Sequence, residues 1–139
     1  MILFKIIISP LSLIYWMLSS SRNALFKWGL LQQYKSRIPV ISVGNLCVGG
    51  SGKTPHVALI IEYLTDYNKA VISRGYGRKN NDIKILINAD NNSKVEDYGD
   101  EPIFLSSRLR NTPIAVGANK FNAALQLIKK NKVDVLLFD

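Results

Sequence analysis

Residues 40–54 read VISVGNLCVGGSGKT. An apolar, largely β-branched run, Val40–Val43, enters a glycine-dense loop, Gly44–Gly52, which closes on Lys53 and Thr54. Such a run suits a strand buried on both faces of a parallel sheet. Glycines let the backbone curl so that several N–H groups point at one anion, and a helix starting there adds its positive end. A lysine at the close of the loop reaches β/γ-phosphates, and a threonine hydroxyl ligates Mg²⁺. The stretch therefore predicts a strand, a nucleotide-phosphate loop and a helix in succession. It departs from the eight-residue phosphate-loop pattern at Cys47, where glycine would stand, while Gly49, Gly50, Gly52, Lys53 and Thr54 are in place. Beyond it, Val57, Ala58, Ile60, Ile61 and Leu64 recur at near-helical spacing up to Thr65. A plain Gly/Ser loop with a solvated lysine is the alternative, and the apolar flanks on both sides count against it.

Outward from this loop, strand and helix patterns alternate. KAVIS (69–73), IKILI (83–87), TPIAV (112–116) and VDVLLF (133–138) read as strands. Phe121, Ala124, Leu125 and Ile128 form a helical stripe that runs into the basic KKNK of 129–132. DYGDEP (97–102) precedes the apolar positions Ile103, Phe104, Leu105 and Leu109, as an acidic first turn precedes a helix body. The pattern predicts an α/β fold with a P-loop NTPase-like, mostly parallel sheet flanked by helices. The last apolar strand stops at Asp139, as a Walker B strand stops at the carboxylate that completes a Mg²⁺ shell. With that carboxylate as the final residue, the expectation is a truncated domain whose C-terminal lobe is absent.

Charge is distributed unevenly. The 139 residues carry a net +8, and no Asp or Glu precedes Glu62, whereas Lys5, Arg22, Lys27, Lys35, Arg37 and Lys53 all do. Residues 2–18, ILFKIIISPLSLIYWML, are nearly all apolar, and SRNALFKWGLLQQYKSR follows. A spanning helix wants about 20 apolar residues, and this run is interrupted by Lys5, Ser9, Pro10 and Ser12. A cleaved secretory signal would carry the nucleotide site away from its nucleotide. An interfacial anchor fits better: apolar helix residues enter the acyl boundary, Trp16 and Trp28 sit at headgroup level, and the cations meet anionic lipid. A helix packed on the protein's own core remains the bland alternative. Pro10 is expected to break or kink this helix near its start. The organisation predicted is a membrane-associating segment, 1–37, followed by a P-loop lobe, 38–139.

Two further groups invite chemistry. Asp97, Asp100 and Glu101 cluster at one predicted helix start, where carboxylates either take a proton or hold a metal, or merely cap the helix and complement its dipole. Arg74 and Arg78, in RGYGR, follow a strand end, the edge where doubly wound sheets bind ligands. Two arginines there either grip a phosphate or carboxylate or sit in a solvated turn. His56, the single histidine, reads as a helix-surface residue, and one cysteine excludes disulfides and thiolate metal sites and points to a reducing cytosol. Nucleic acid is a poor partner, because the basic residues sit among apolar ones rather than on a polar aromatic platform.

VISVGNLCVGGSGKTP, SRGYGRK, YGDEP, PIAVG and VDVLLFD, in this order, resemble the N-terminal half of the tetraacyldisaccharide 4′-kinases, the lipid A 4′-kinases of Gram-negative bacteria. The basic apolar N-terminus is similar to the family's membrane-associating helix. The resemblance covers essentially the whole chain. It implies transfer of the γ-phosphate of ATP to the 4′-hydroxyl of a tetraacyldisaccharide 1-phosphate, a lipid A precursor, at the cytoplasmic face of the inner membrane. Cys47, Val48, Gly49, Gly50, Ser51, Gly52, Lys53 and Thr54 would then bind ATP, with Thr54, Asp139 and Glu101 on Mg²⁺. Asp100 matches the GDEP aspartate that serves as catalytic base, alongside Lys53, and Arg74 and Arg78 fall on the substrate side. Asp139 matches the first aspartate of the DDGFQH motif, whose remainder is missing here together with a histidine that partners the GDEP aspartate. Where the family more often has Asp-Arg, this chain has Asn119-Lys120, so the arginine's role would fall to Lys120. The competing readings are a membrane-associated P-loop GTPase or metallochaperone-type regulator, and a membrane-binding fragment without turnover.

Overall fold

The computed structural model describes residues 2–44, 52–90 and 92–139, with side chains from Pro10 onward in the first helix. It divides into two compact units, residues 1–35 and residues 36–139.

In the first unit, helix α1 (Ile2–Lys27) passes through Pro10 without ending, so of the expected break or kink the break does not occur. Proline removes one N–H and crowds one carbonyl, and apolar helix-compatible residues on both sides carry the rest of the ladder. Leu11, Leu13, Ile14, Tyr15, Trp16, Met17 and Leu18 are all more than half exposed. Arg22 stacks over the Phe26 ring, 5.0 Å from its centroid. The helix closes on Gly29 at φ 74°, with Leu30 N–H donating to Leu25 O at 3.0 Å. Among the described residues, no helix is long and apolar enough to cross a membrane.

The second unit is a five-stranded sheet in the order β1 (Val40–Ser42), β5 (Val135–Phe138), β2 (Lys69–Ser73), β4 (Ile114–Val116), β3 (Lys84–Leu86). β1, β5, β2 and β4 are mutually parallel, with Ile41 opposite Leu137, Val71 opposite Leu137 and Ile72 opposite Ala115. β3 runs antiparallel to β4 at the edge. The connection from β2, residues 74–83, contains no helix, and a parallel return needs a crossover of about a dozen residues or more. The sheet is thus mostly parallel, as expected, with one reversed edge strand.

Side-chain alternation along the strands supplies both faces. Val71, Ile114, Val116, Val135 and Leu137 face Val57, Ala58 and Ile61 of α2 (Lys53–Tyr63) and Leu105 and Leu109 at the end of α4 (Asp100–Arg108). Ala70, Ile72, Ala115 and Leu136 face Ala123, Ala124 and Leu127 of α5 (Lys120–Lys130). Each fully buried aliphatic side chain of this kind contributes about 1.5–3 kcal/mol of transfer free energy. The small residues Ala70, Ala115, Ala123 and Ala124 let α5 lie close to the sheet.

The expected acidic helix start is divided in two. Glu96 and Asp97 belong to a short helix α3 (Val95–Tyr98), and Asp100 opens α4. Gly99, at φ 91° and ψ 160°, separates them, a backbone state that only glycine adopts easily. Asp97 is turned to β3, where it accepts from Lys84 Nζ at 2.5 Å. It leaves the acidic cluster for a structural ion pair.

Candidate active site

The parallel strands all end at one edge of the sheet. There Val43 N–H donates to Phe138 O, Asp139 N–H to Ile72 O and Gly117 N–H to Ser73 O, each at 3.0 Å. Residues just past the strands are thereby held within a few ångströms of one another. Doubly wound sheets bind ligands at this carboxyl edge.

α2 starts at the same edge. Gly52, in the left-handed region at φ 73°, hands the chain to Lys53 as the first helical residue. His56 N–H donates to Gly52 O at 3.3 Å, and His56 Nδ1 lies 2.7 Å from that oxygen on the exposed face, matching the surface reading of this histidine. Cys47, Val48, Gly49, Gly50 and Ser51 lie outside the described residues. Lys53 and Thr54 are half-buried, and Thr54 Oγ1 donates to Glu101 Oε1 at 3.4 Å.

A cavity of about 320 Å³ opens here, lined by Lys53, Asp100, Glu101 and Asp139 together with Ser73, Arg74, Tyr76 and Lys120. Four side chains singled out in the sequence for phosphate, metal and base chemistry thus share one space, with Thr54 hydrogen-bonded to one of them. Asp100, an exposed residue that lines the cavity, opens α4, and its Oδ1 accepts the Glu101 N–H at 2.9 Å. Both carboxylate oxygens of Asp139 are buried and have no hydrogen-bond partner among the described residues, while its main-chain oxygen accepts from Lys120 Nζ. Burial raises the Asp139 pKa above the usual carboxylate range, against the pull of Lys53 and Lys120. Burial likewise lowers the Lys120 pKa; Asp139 and Glu101 oppose this, and Lys53 and Arg74 reinforce it by like-charge repulsion.

This arrangement suits a charged ligand. Buried carboxylate oxygens without partners cost free energy unless a cation or donor arrives, and three crowded cations are relieved by a polyanion. Among the described residues, no three His, Cys, Asp or Glu side chains form a metal cage. Mg²⁺ does not require one, since it binds through one or two carboxylates, a hydroxyl, phosphate oxygens and waters. The donor set of Thr54, Glu101 and Asp139 fits that chemistry.

The two arginines part company. Arg74 lines the cavity. Arg78 does not: its Nη1 donates to Asp82 O at 2.5 Å and to Val116 O at 3.4 Å, which ties the RGYGR loop to the end of β4. Sequence reasoning passed over Ser73 and Tyr76. Ser73 is the last residue of β2, so its position at a strand's carboxyl end was the available signal. Tyr76 sits between two glycines and is 82% exposed.

A family model described as Tetraacyldisaccharide-1-P 4′-kinase matches residues 4–139. The chain belongs to this family. The tetraacyldisaccharide 4′-kinase of Flavobacterium johnsoniae is 40% identical over 99% of the chain, and that of Pseudoalteromonas translucida is 41% identical over 99%. The aligned part amounts to 40% and 42% of those two kinases, so the chain spans about two-fifths of the length of the curated relatives it matches. The crystal structure of the LpxK kinase from Aquifex aeolicus in complex with ATP superimposes with a TM-score of 0.81 at 32% identity, covering 97% of this chain and 43% of that one. The mostly parallel sheet with flanking helices is therefore a fold that this chain and a family kinase have in common.

Proposed function

We propose that residues 38–139 form the P-loop NTPase-like nucleotide lobe of an ATP-dependent kinase of lipid A biosynthesis, which phosphorylates the 4′-hydroxyl of a tetraacyldisaccharide 1-phosphate. The observation that carries this reading is the convergence of Lys53, Asp100, Glu101 and Asp139 on one cavity, with Thr54 hydrogen-bonded to Glu101. Family membership supplies the substrate class, and the ATP complex of the Aquifex aeolicus relative supports ATP over GTP.

Phosphoryl transfer demands positioning and charge neutralisation more than covalent chemistry by the protein. The loop Cys47–Thr54 would cradle the phosphates, with Lys53 on the β/γ-phosphates. Mg²⁺, held by Thr54, Glu101 and Asp139, would neutralise charge on the phosphate oxygens. Asp100, exposed at the cavity, would orient the sugar hydroxyl and accept its proton. Arg74, and Lys120 in place of an arginine, would meet anionic oxygens of ATP or of the lipid. Arg78 would act at one remove, by holding the loop that carries Arg74.

The first 37 residues would bring this lobe to its lipid. Exposed Leu13, Ile14, Trp16 and Leu18 beside Arg22 and Lys27 suit an interfacial helix on the cytoplasmic face of the inner membrane. Anionic vesicles should co-sediment the chain, and Leu13→Glu with Trp16→Glu should abolish this; undiminished sedimentation of the variant would remove the anchor.

The decisive experiment is MgATP binding by titration calorimetry together with phosphotransfer to the disaccharide 1-phosphate. Lys53→Ala should weaken MgATP binding about tenfold or more, the equivalent of ~1.4 kcal/mol. Equal affinity in the variant, or preference for GTP, would overturn the kinase reading.

A further inference from the structure

Beside the cavity, the segments 74–78 and 97–102 meet backbone to backbone at two glycines. Gly75 has φ 68° and Gly99 φ 91°, both in the left-handed half of the map, where side chains are strained. A Cβ on Gly99 would stand 2.9 Å from the Tyr76 carbonyl oxygen and 3.1 Å from Gly75 Cα. A Cβ on Gly75 would stand 2.8 Å from the Tyr98 carbonyl oxygen and would overlap Val116 Cγ1. Most of the obstructing atoms are main chain, which cannot swing aside as a side-chain tip can. Gly77, two residues further along the same loop, has a similar φ of 81° but open space at its Cβ position. Backbone angle explains all three glycines, and close approach distinguishes only two of them.

Functional side chains stand on both sides of this contact. Arg74 and Tyr76 line the cavity from one segment, and Asp100 and Glu101 from the other. Gly99 is also the residue that caps α4, without any side-chain cap, so main-chain packing locates the first turn of that helix. Glu101 in that turn meets Thr54, which belongs to α2 and comes from a different strand connection. A methyl group inserted between the two segments would push the first turn of α4, and both carboxylates with it, relative to Lys53 and Thr54.

We infer that Gly75 and Gly99 are positioning residues: their direct backbone contact sets how far Asp100 and Glu101 stand from Lys53 and Thr54, and so how strongly a divalent cation couples to bound nucleotide. The inference rests on the reading of the cavity as a MgATP site. It assigns the RGYG and YGDE segments a shared task that neither performs alone. A shift of a few tenths of an ångström in a carboxylate matters here because Mg²⁺ demands near-ideal octahedral geometry.

The test measures ATP affinity of the chain with a chelator and with Mg²⁺, the ratio giving the coupling. Gly99→Ala should keep its chelator value within about twofold and lose about tenfold of the Mg²⁺-dependent gain, the loss typical when the support of a metal ligand is disturbed. Gly77→Ala, at a similar positive φ and with open space at its Cβ position, should keep both values. Gly75→Ala combined with Val116→Ala removes the tightest side-chain overlap, retains the clash with the Tyr98 carbonyl, and should follow Gly99→Ala. Identical coupling in Gly99→Ala and Gly77→Ala would overturn the inference, as would loss of chelator-state binding in both Gly99→Ala and the Gly75→Ala/Val116→Ala double variant, which would make the contact a general folding element. Failure of the unaltered chain to bind ATP would instead strike the nucleotide reading itself, before any substitution is made.

Discussion

The two ends of the β-sheet are finished in opposite ways. At the amino edge, polar groups close on one another. Asp134 Oδ2 accepts from Asn68 N–H at 2.9 Å and from its Nδ2 at 2.6 Å, and Lys69 Nζ caps Leu64 O at 2.9 Å. Asn88 and Asn111, both at positive φ, exchange two hydrogen bonds of 2.9 and 2.8 Å. At the carboxyl edge the buried oxygens of Asp139 have no partner among the described residues, and Lys120 sits in a setting that disfavours its charge. One edge uses its polar groups on one another, and the other leaves buried ones unpaired among the described residues. An unsatisfied buried group is costly to keep, which is why the proposed ligand site lies at the carboxyl edge.

The sharpest way to break this contrast is to alter the open edge and look for an effect on stability instead of chemistry. Asp100→Asn is expected to lower the phosphotransfer rate by about 10²–10⁴-fold, the range for losing a general base, with ATP affinity nearly unchanged. A parallel loss of ATP affinity would move Asp100 from base to binding group. Lys53→Ala should lower the rate about 10²–10³-fold, or ~2.7–4 kcal/mol of transition-state stabilisation, by analogy with removing one key electrostatic donor. An unchanged rate would dissociate the lysine from the phosphates.

The closed side of the comparison is sharpened by the reverse pattern. Leu127 is fully buried on α5 against the sheet, and Leu127→Ala should cost ~2–5 kcal/mol of stability in a denaturant titration. ATP affinity of the folded fraction should not move; if it does, packing at Leu127 also sets where Lys120 stands at the start of α5. The smallest effect concerns acid. The hydrogen bond from Lys84 holds the Asp97 pKa below the ordinary carboxylate range. A group depressed in this way adds stability above its unfolded pKa, and that stability is lost as pH falls through the folded value. Asp97→Asn should therefore lower stability slightly near neutrality, and the gap to the parent should close as pH falls through that acid window. A variant that tracks the parent throughout would show that the ion pair is energetically silent.

Much of the architecture was legible in residue patterns because those patterns are local. β-branched runs such as KAVIS and the stripe of Phe121, Ala124, Leu125 and Ile128 declare strand and helix within a few residues. The run GGSGKT motivates the phosphate-loop proposal through glycine freedom and a following lysine, and most of it lies outside the described residues. Two boundaries escaped this reasoning. The acidic residues of DYGDEP look continuous, yet Gly99 divides them and sends Asp97 to Lys84. RGYGR offers two equivalent arginines, yet only Arg74 reaches the cavity.

The order of elements, the loop with its lysine and threonine, and the carboxylate at the end of an apolar strand were set by sequence alone, since each depends on neighbours a few positions away. The tertiary fold decided which carboxylates share a space, which arginine is free to meet a ligand and why two distant glycines had to touch. Those outcomes depend on the parallel register that aligns four strand ends, a long-range arrangement that no local periodicity encodes.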